Sequence, residues 1–396
     1  MTPFHHRMVQ ATRARQYEVR MLETPLGRAA RALVDALGGR RALVVCSPTV
    51  SRLYGEQLYR ALRVENPNVA LLVLQCSEAG KTVEQVVSVC DAAQEAGLDR
   101  QAVLVGVGGG VVLDIVTMAA AWIRRGIEHL RVPTTLIGQV DAGVGIKGAI
   151  NFGSRKNYLG IFHAPSVVLI DPTFLGSLPL PQVRHGLAEI IKIALVRDPL
   201  LFSLVEHHAS EFVSAPLRGQ TPAVRELLSR SIIGMVEELQ PNLYEDQTYE
   251  RLVDFGHTFS PALEAASHYS MHHGAAVAID MALSATIATE LGMLPPAVCE
   301  RIIAVLKDVG LPTWSPLLTP ERCESALTDA ARHRGGCVNL VVPVAIGRGD
   351  FLRQAAEISP SLLRRALEVL ARSERGLVLQ QHSQRASWPQ VKQAGL

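Results

Sequence analysis

The chain has 396 residues and a formal net charge of only +2, with 48% hydrophobic and 19% charged residues. This balance suits an enzyme with a large core, and Arg and Lys are too dispersed to support nucleic acid binding. No apolar run reaches the roughly 18 residues that a membrane span needs. The basic N-terminus lacks the apolar stretch of a signal peptide, so we expect no membrane partner.

The six cysteines are scattered singly along the chain and form no CxxC pair. In a chain of this size, such spacing is typical of free thiols in a reducing compartment. It therefore predicts a cytoplasmic protein and argues against a metal site built from cysteines.

Residues 1–14 have the composition of a loose arm, and strand and helix patterns alternate after them. The predicted strands are RALVVCS (41–47), VALLVLQCS (69–77), QAVLVGV (101–107), LRVPTT (130–135) and VVLIDP (167–172). Alternation of this kind is typical of right-handed βαβ units with a parallel sheet. Residues 1–180 are therefore predicted to form a Rossmann-like α/β domain.

The pattern changes at about Pro179, where helical periodicity replaces the strand pattern until residues 338–344. This predicts a mainly α-helical domain over residues 181–375. Residues 376–396 show no clear periodicity and are predicted to be a disordered tail.

The third predicted strand runs into Gly108-Gly109-Gly110 and then into a long helix pattern. Glycines let a backbone approach an anion closely, and the helix N-terminus offers free N–H groups and a positive dipole end. Valine occupies the place of the third glycine in the usual dinucleotide fingerprint. Taken alone, the glycines leave open a tight turn that binds no ligand.

Glu189 and Lys192 are three positions apart in a predicted helix and therefore share one face. A surface ion pair is one interpretation. The surrounding sequence, HGLAEIIKIAL, is strongly apolar, and an unneeded charge pair would be costly to bury there. A functional site is therefore favoured, and Glu189 with two histidines would make an ordinary zinc ligand set.

These motifs, together with RVPTTL, VDAGVGIK, SRKN, GHTFSP and HHGAAVA, resemble the 3-dehydroquinate synthase superfamily over residues 40–350. The resemblance implies a dehydroquinate synthase-like fold that binds NAD and Zn²⁺ or Co²⁺. The implied metal ligands are Glu189, His257 and His273, the last chosen over His272 because the family has His-Gly. The implied cofactor-binding residues are Gly108, Gly109, Gly110, Asp114, Glu78, Lys81, Thr134, Thr135 and Asp141.

The resemblance also implies a sugar phosphate substrate, and lysines beside glycine turns suit a phosphate leaving group. The implied substrate-binding residues are Arg125, Lys147, Lys156, Asn157, Lys192 and Asp254. The implied catalytic residues are Lys192, Asp141, Lys147 and His333. Arg125 resembles an arginine that reaches the phosphate site of a neighbouring subunit, which implies a homodimer.

The family reaction implies a transient oxidation by NAD, loss of phosphate, return of the hydride and an intramolecular aldol closure. Three positions depart from the usual dehydroquinate synthase pattern: Asp254 replaces Asn, Pro261 replaces a second His, and Leu239 replaces a Lys. A site that loses cations has less reason to hold a carboxylate, which favours a neutral sugar phosphate.

The sequence accordingly resembles the sedoheptulose 7-phosphate cyclases of the valiolone type. The expected product is 2-epi-5-epi-valiolone or its epimer 2-epi-valiolone, and Ala275 in place of the usual Glu leaves the epimer open. The alternatives within the superfamily are 3-dehydroquinate synthase, desmethyl-4-deoxygadusol synthase and 2-deoxy-scyllo-inosose synthase. An NAD-dependent polyol dehydrogenase and a non-catalytic homologue are the alternatives of another class.

Overall fold

The computed structural model describes residues 14–23, 26–153, 155–214 and 221–386. Most of the predicted N-terminal arm therefore lies outside the described residues. The strands are β1 Glu18–Met21, β2 Ala42–Cys46, β3 Val69–Val73, β4 Val103–Gly108, β5 Glu128–Pro133, β6 Lys147–Phe152, β7 Arg155–Phe162, β8 Val167–Ile170, β9 Leu340–Ala345 and β10 Arg348–Leu352.

A six-stranded parallel sheet in the order β1-β8-β5-β4-β2-β3 forms the centre of the N-terminal half. All five predicted strands lie in it, and the predicted parallel α/β architecture is confirmed. Both faces of this sheet are covered: Val44 and Val105 pack into one core, and Leu43 and Leu104 into another. Strands buried on both faces are mostly apolar, which is why the sequence shows them clearly, although β5 also carries the buried His129 and Arg131.

The helices of this half lie between the strands and cover both faces of the sheet. They are α1 Leu26–Leu37, α2 Pro48–Val50, α3 Glu56–Glu65, α4 Val83–Glu95 and α5 Gly110–Trp122. The last of these follows β4 directly, so the glycine run forms the junction that the sequence predicts.

The antiparallel hairpin of β6 and β7 stands apart from the main sheet and packs on α5. No strand is predicted here from the sequence, because β7 alternates exposed with half-buried residues and carries several small or polar ones. Gly148 lies so close to α5 that a Cβ there would be 2.6 Å from the Thr117 side chain. The hairpin therefore needs glycine at this contact.

The C-terminal half is helical, as predicted, apart from the hairpin of β9 and β10. Its helices are α6 Leu180–Val196, α7 Pro199–Ser214, α8 Pro222–Leu239, α9 Ser260–Ala266, α10 His273–Glu290, α11 Pro296–Asp308, α12 Pro320–His333 and α13 Pro360–Ala386. Helix α10 is apolar on all sides because α6, α9, α11 and α13 surround it.

Helix α13 continues to Ala386, so the prediction of a disordered tail is wrong for residues 376–386. Extending an existing helix is much easier than starting one, and good helix formers such as Leu379 and Gln380 follow Gly376. Residues 387–396 lie outside the described residues. Within the described ranges, no helix combines the length and apolar character needed to cross a bilayer.

Asp280, fully buried on α10, holds the N-terminus of α9. Its Oδ2 accepts hydrogen bonds from the backbone N–H of Phe259 at 2.5 Å and of Ser260 at 2.9 Å, and its Oδ1 accepts one from the Ser284 hydroxyl. Burial raises the pKa of Asp280 to about 6, although these hydrogen bonds work in the opposite direction.

We expect Asp280→Asn to remove a pH-dependent contribution to stability. The pKa of the folded state is above the ordinary value of 3.8, so the folded chain binds more protons between about pH 4 and pH 6. The Asp280 contribution is therefore fully present below pH 4 and is lost as pH rises through 6. Urea unfolding should show a wild-type minus variant difference that falls by up to about 3 kcal/mol across this window. A difference independent of pH would contradict this expectation.

Candidate active site

Three side chains from separate elements of the helical half converge: Glu189 on α6, His257 before α9, and His273 at the start of α10. One ligand atom from each lies within 4.8 Å of the other two. Glu189 Oε1 is 3.1 Å from Nε2 of His273 and 3.9 Å from Nε2 of His257. The structure thus brings together the three residues that the sequence analysis assigns to a metal.

Both imidazoles are oriented by a hydrogen bond at Nδ1. The His257 Nδ1 lies 2.9 Å from the carbonyl of Phe255, and the His273 Nδ1 lies 2.9 Å from Glu264 Oε1. An acceptor at Nδ1 places the proton there and leaves the lone pair of Nε2 directed at the cluster. This is the arrangement that metal-ligating histidines have in proteins.

Glu189 is fully buried, and neither of its oxygens has a hydrogen bond of good geometry within the described part of the chain. Burial opposes its charge, but Lys192 and the two histidines hold the pKa of Glu189 well below its usual range. Burial lowers the pKa of His257 to about 4, so this imidazole is neutral at physiological pH. An ionised, buried carboxylate beside two imidazole nitrogens fits a divalent cation.

Glu264, on α9, connects this cluster to the β6–β7 hairpin. Its Oε1 faces His273, and its Oε2 accepts a hydrogen bond of 2.7 Å from the Lys156 ammonium. Although burial acts in the opposite direction, His273 and Lys156 lower the pKa of Glu264 to about 2. Lys156 is therefore held by Glu264, the residue that orients the candidate ligand His273. The sequence predicts instead that Lys156 binds substrate.

Lys192 lies between the cluster and Asp141. Its Nζ is 2.6 Å from Glu189 Oε2 and 3.5 Å from Asp141 Oδ2. Burial disfavours the ammonium, but the two carboxylates raise the pKa of Lys192 above its ordinary value. The lysine is consequently a buried, permanent positive charge beside the proposed metal position.

A partly enclosed cavity of about 140 Å³ opens next to the cluster. The sequence-predicted residues that line it are Asp141, Lys147, Lys192, Leu239, Asp254 and His257. Glu245 and Arg251 also line it, and neither is predicted from the sequence. Glu245 forms ion pairs with Lys147 and with Arg251, and Arg251 also lies 3.4 Å from Asp254. Charged residues in a polar loop resemble ordinary surface residues, so only their tertiary contacts identify them.

The glycine junction of β4 and α5 provides the second part of the site. Helix α5 begins at Gly110 with no side-chain cap, so the N–H groups of its first turn remain available. A Cβ on Gly108 would lie 2.8 Å from the Val112 side chain, and one on Gly109 would lie 3.0 Å from Thr135. A side chain would clash at Gly108 and be tight at Gly109, so the junction favours glycine, as turns that bring a backbone close to a pyrophosphate do.

The remaining cofactor candidates gather around the buried Lys81. Its Nζ is 2.8 Å from Asp114, 2.5 Å from the side-chain oxygen of Asn157 and 3.5 Å from Glu78. Glu78 Oε1 is buried and has no hydrogen bond within the described ranges, although the ammonium groups of Lys81 and Lys156 lie 3.5 Å and 4.0 Å from it. Asn157 is thus placed on the cofactor side, and Thr134 continues from β5 beside Gly108.

The structure does not bring Arg125 or His333 to the cavity. His333 is exposed at the last position of α12, and the catalytic role expected for it is not supported by this placement. Successive residues of a helix point about 100° apart. The next residue, Arg334, reaches 3.8 Å from Asp254 Oδ2 instead. Arg125 is exposed beyond the end of α5.

Known proteins match the chain over most of its length. Residues 71–185 match the family model described as 3-dehydroquinate synthase N-terminal, and residues 186–332 match the corresponding C-terminal model. A 2-epi-5-epi-valiolone synthase from Actinomyces sp is 43% identical over 87% of this chain and 92% of its own length. The demethyl-4-deoxygadusol synthase of Trichormus variabilis is 36% identical over 81% of this chain and 80% of its own.

Among solved structures, ValA, the 2-epi-5-epi-valiolone synthase of Streptomyces hygroscopicus subsp. jinggangensis 5008 with NAD+ and Zn2+ bound, has a TM-score of 0.85. It is 41% identical, and the alignment covers 92% of this chain and 99% of that one. The paired metal and nucleotide sites, the two family models and these relatives agree, and the chain belongs to the 3-dehydroquinate synthase family.

Proposed function

We propose that this protein is a metal- and NAD-dependent cyclase that converts sedoheptulose 7-phosphate into 2-epi-5-epi-valiolone and phosphate. One observation carries the proposal: a cluster suited to zinc adjoins a cavity that contains Lys192 and Lys147 but has Leu239 at the position of a family lysine. The reactions named for the relatives at 39–43% identity support the same product.

Glu189, His257 and His273 would hold Zn²⁺, which when bound supplies a Lewis acid for substrate oxygens. Gly108–Gly110 and the Lys81 cluster would hold NAD, which supplies a reversible hydride acceptor. The donor set of one carboxylate and two imidazoles leaves coordination positions open for substrate oxygens, as catalytic zinc sites do.

The protein side chains supply charge and orientation around the substrate. Lys192 and Lys147 offer ammonium groups to an anionic phosphate, and the withdrawal of water from the cavity strengthens these contacts. Asp141 and Asp254 offer carboxylate acceptors for sugar hydroxyl groups. Leu239 offers no countercharge, so a substrate carboxylate beside it would be desolvated without a partner.

The test is a panel of substrates incubated with NAD and Zn²⁺. The panel contains sedoheptulose 7-phosphate, the carboxylated sugar phosphate that dehydroquinate synthases use, glucose 6-phosphate and glycerol. We expect phosphate release without net NADH from the first compound only, with the ring stereochemistry read by NMR. Turnover of the carboxylated sugar would refute the Leu239 argument, net NADH from glycerol would indicate a polyol dehydrogenase, and a 2-epi-valiolone product would assign the other epimer.

We expect Glu264→Gln to weaken zinc binding while leaving the fold intact. The amide removes the negative charge that faces His273 Nδ1 and the ion pair with Lys156. Losing such a partner of a metal ligand typically lowers metal affinity about 10- to 100-fold. Competition with a zinc indicator measures the affinity directly, and Glu206→Gln, which removes a surface ion pair with Arg301, is the matched control. Equal zinc affinity in both variants would contradict the orienting role.

We also propose that the protein acts as a homodimer in which Arg125 of one subunit reaches the phosphate site of the other. Arg124 and Arg125 both have left-handed backbone conformations, with φ of 53° and 70°, and both are exposed. A non-glycine residue in this region costs roughly 1–2 kcal/mol. The turn keeps this unfavourable backbone conformation and leaves both arginines exposed. This supports a role for Arg125 in contacting a neighbouring subunit.

Subunit complementation tests this proposal. Arg125→Ala and Lys192→Ala homodimers should each be inactive, whereas co-refolded mixtures should regain up to roughly a quarter of wild-type activity. In the mixed dimer, one site combines the intact Lys192 of one subunit with the intact Arg125 of the other. A mixture that stays inactive, or an active monomer in analytical ultracentrifugation, would reject the shared site.

The cytoplasm is the proposed location. All six cysteines lie in the described ranges and are free thiols, with Cys46, Cys299 and Cys323 buried. Persistent free thiols are typical of a reducing compartment, which supports this assignment.

A further inference from the structure

Arg131 is a fully buried cation on β5, in the middle of the parallel sheet. Within the described part of the chain it forms no ion pair. Burial lowers the pKa of Arg131 to about 10, with Asp114 acting in the opposite direction, so the guanidinium stays charged at physiological pH. Its neighbour His129 is also buried and is neutral, because burial holds its pKa well below the usual range. A buried cation without a carboxylate requires another set of acceptors.

Those acceptors are backbone carbonyls of the segment between Asp141 and Lys147. Nη1 and Nη2 of Arg131 donate to the carbonyl oxygens of Ala142 at 3.2 Å, Gly143 at 3.4 Å, Gly145 at 2.5 Å and Lys147 at 2.9 Å. Nη2 also donates to the Thr117 hydroxyl on α5 at 2.8 Å. One side chain therefore binds most of the carbonyls of this segment.

The two remaining carbonyls of the segment also have donors from outside it. The Tyr17 hydroxyl donates to the Val144 carbonyl at 2.9 Å, and the backbone N–H of His163 donates to the Ile146 carbonyl at 2.9 Å. Every backbone carbonyl from residue 142 to residue 147 is therefore hydrogen-bonded. Val144 and Ile146 are buried and anchor the segment, while Ala142, Gly143 and Gly145 have little or no side chain and depend on these backbone hydrogen bonds.

We propose that Arg131 is a positioning residue that fixes the distance and direction between Asp141 and Lys147 across the substrate cavity. The inference rests on the proposed function for the roles of these two side chains, which lie at opposite ends of the bound segment and both line the cavity. Arginine suits the task because its planar guanidinium presents several N–H groups in a fixed fork. A lysine would be a single point charge with fewer donors in no fixed plane.

The test compares Arg131→Met and Arg131→Lys with wild type by hydrogen–deuterium exchange and by steady-state kinetics with sedoheptulose 7-phosphate. We expect amide exchange to accelerate at least about tenfold in peptides covering residues 138–147. The KM should rise and kcat/KM should fall by roughly 10²-fold, as for small displacements of catalytic groups. Zinc content should stay at the wild-type level, because the metal ligands lie on other elements. Arg131→Lys should not restore the exchange pattern or the KM.

Leu306→Ala is the matched control, since it creates a buried cavity on α11, a helix that contributes no residue to the substrate cavity. It should lower stability and leave KM unchanged.

Tyr17→Phe removes one hydrogen bond from residues 142–147 and should accelerate exchange there to a smaller extent. This variant keeps the test valid if Arg131→Met does not fold. Wild-type KM and exchange in Arg131→Lys, or faster exchange spread evenly over the chain, would overturn the inference. Absence of turnover by wild type would reject the proposed function, and local exchange would still decide the role of Arg131.

Discussion

Glu189→Gln is expected to abolish metal binding and, with it, phosphate release. Glu189 is the only anionic member of the ligand set, and an amide in its place offers one neutral oxygen in a fully buried position. A bound metal contributes several kcal/mol to the transition state, so the rate should fall at least roughly 10³-fold. Atomic absorption on the dialysed protein should give less than about one tenth of a zinc per chain.

The control for this change is Glu206→Gln, which removes a carboxylate from an ion pair on α7. It should retain wild-type zinc content and wild-type activity. Stoichiometric zinc in Glu189→Gln, or full phosphate release without zinc, would show that the ligand assignment is wrong. Loss of both zinc and the circular dichroism of folded helices would point to a structural role for Glu189.

Lys192→Met is expected to separate metal binding from activity. The substitution removes the ammonium that neutralises Glu189, which leaves the carboxylate at least as able to bind a cation. Zinc content should therefore remain near wild type. Phosphate release should nevertheless fall by roughly 10²- to 10³-fold, since the proposed contact of the ammonium with the phosphate group is lost.

The matched control is Lys307→Met on α11, where the ammonium pairs with Glu374 far from the cavity. It should have wild-type kcat and KM. Lys192→Met with normal activity would exclude Lys192 from the reaction. Loss of zinc in Lys192→Met would instead indicate that the lysine maintains the geometry of α6, because a group that acts only on the substrate does not affect metal content.

Much of the sheet could be predicted from the sequence, since its strands are short apolar runs buried on both faces. The convergence of Glu189, His257 and His273 could also be predicted, because Glu189 lies in an apolar helix and the histidines occupy family motifs. The hairpin of β6 and β7 was missed for a physical reason. Its strands are half exposed, and exposed aromatic residues such as Phe152 and Tyr158 mix with polar ones in a pattern that a surface loop could also have.

Residues whose role depends on a tertiary contact were also missed. Glu264 in SPALEAA has the pattern of an exposed helix position, and only its contact with His273 identifies it. Arg131 gives no sign in the sequence that it is buried, since an arginine in a strand usually lies at an edge or extends to solvent. The sequence predicts that His333 takes part in catalysis, but its neighbour Arg334 is the residue that faces Asp254. A sequence pattern alone does not distinguish two adjacent positions at the end of a helix.

The arrangement of the metal donors has a consequence for how the chain assembles. The donors belong to α6, to the turn before α9 and to α10, so they meet only after α6 and α10 have docked against each other. An incompletely assembled helical half would present isolated donors and bind a cation weakly. Retention of one metal per chain through purification is therefore a sensitive indicator that the helical half has reached its native packing.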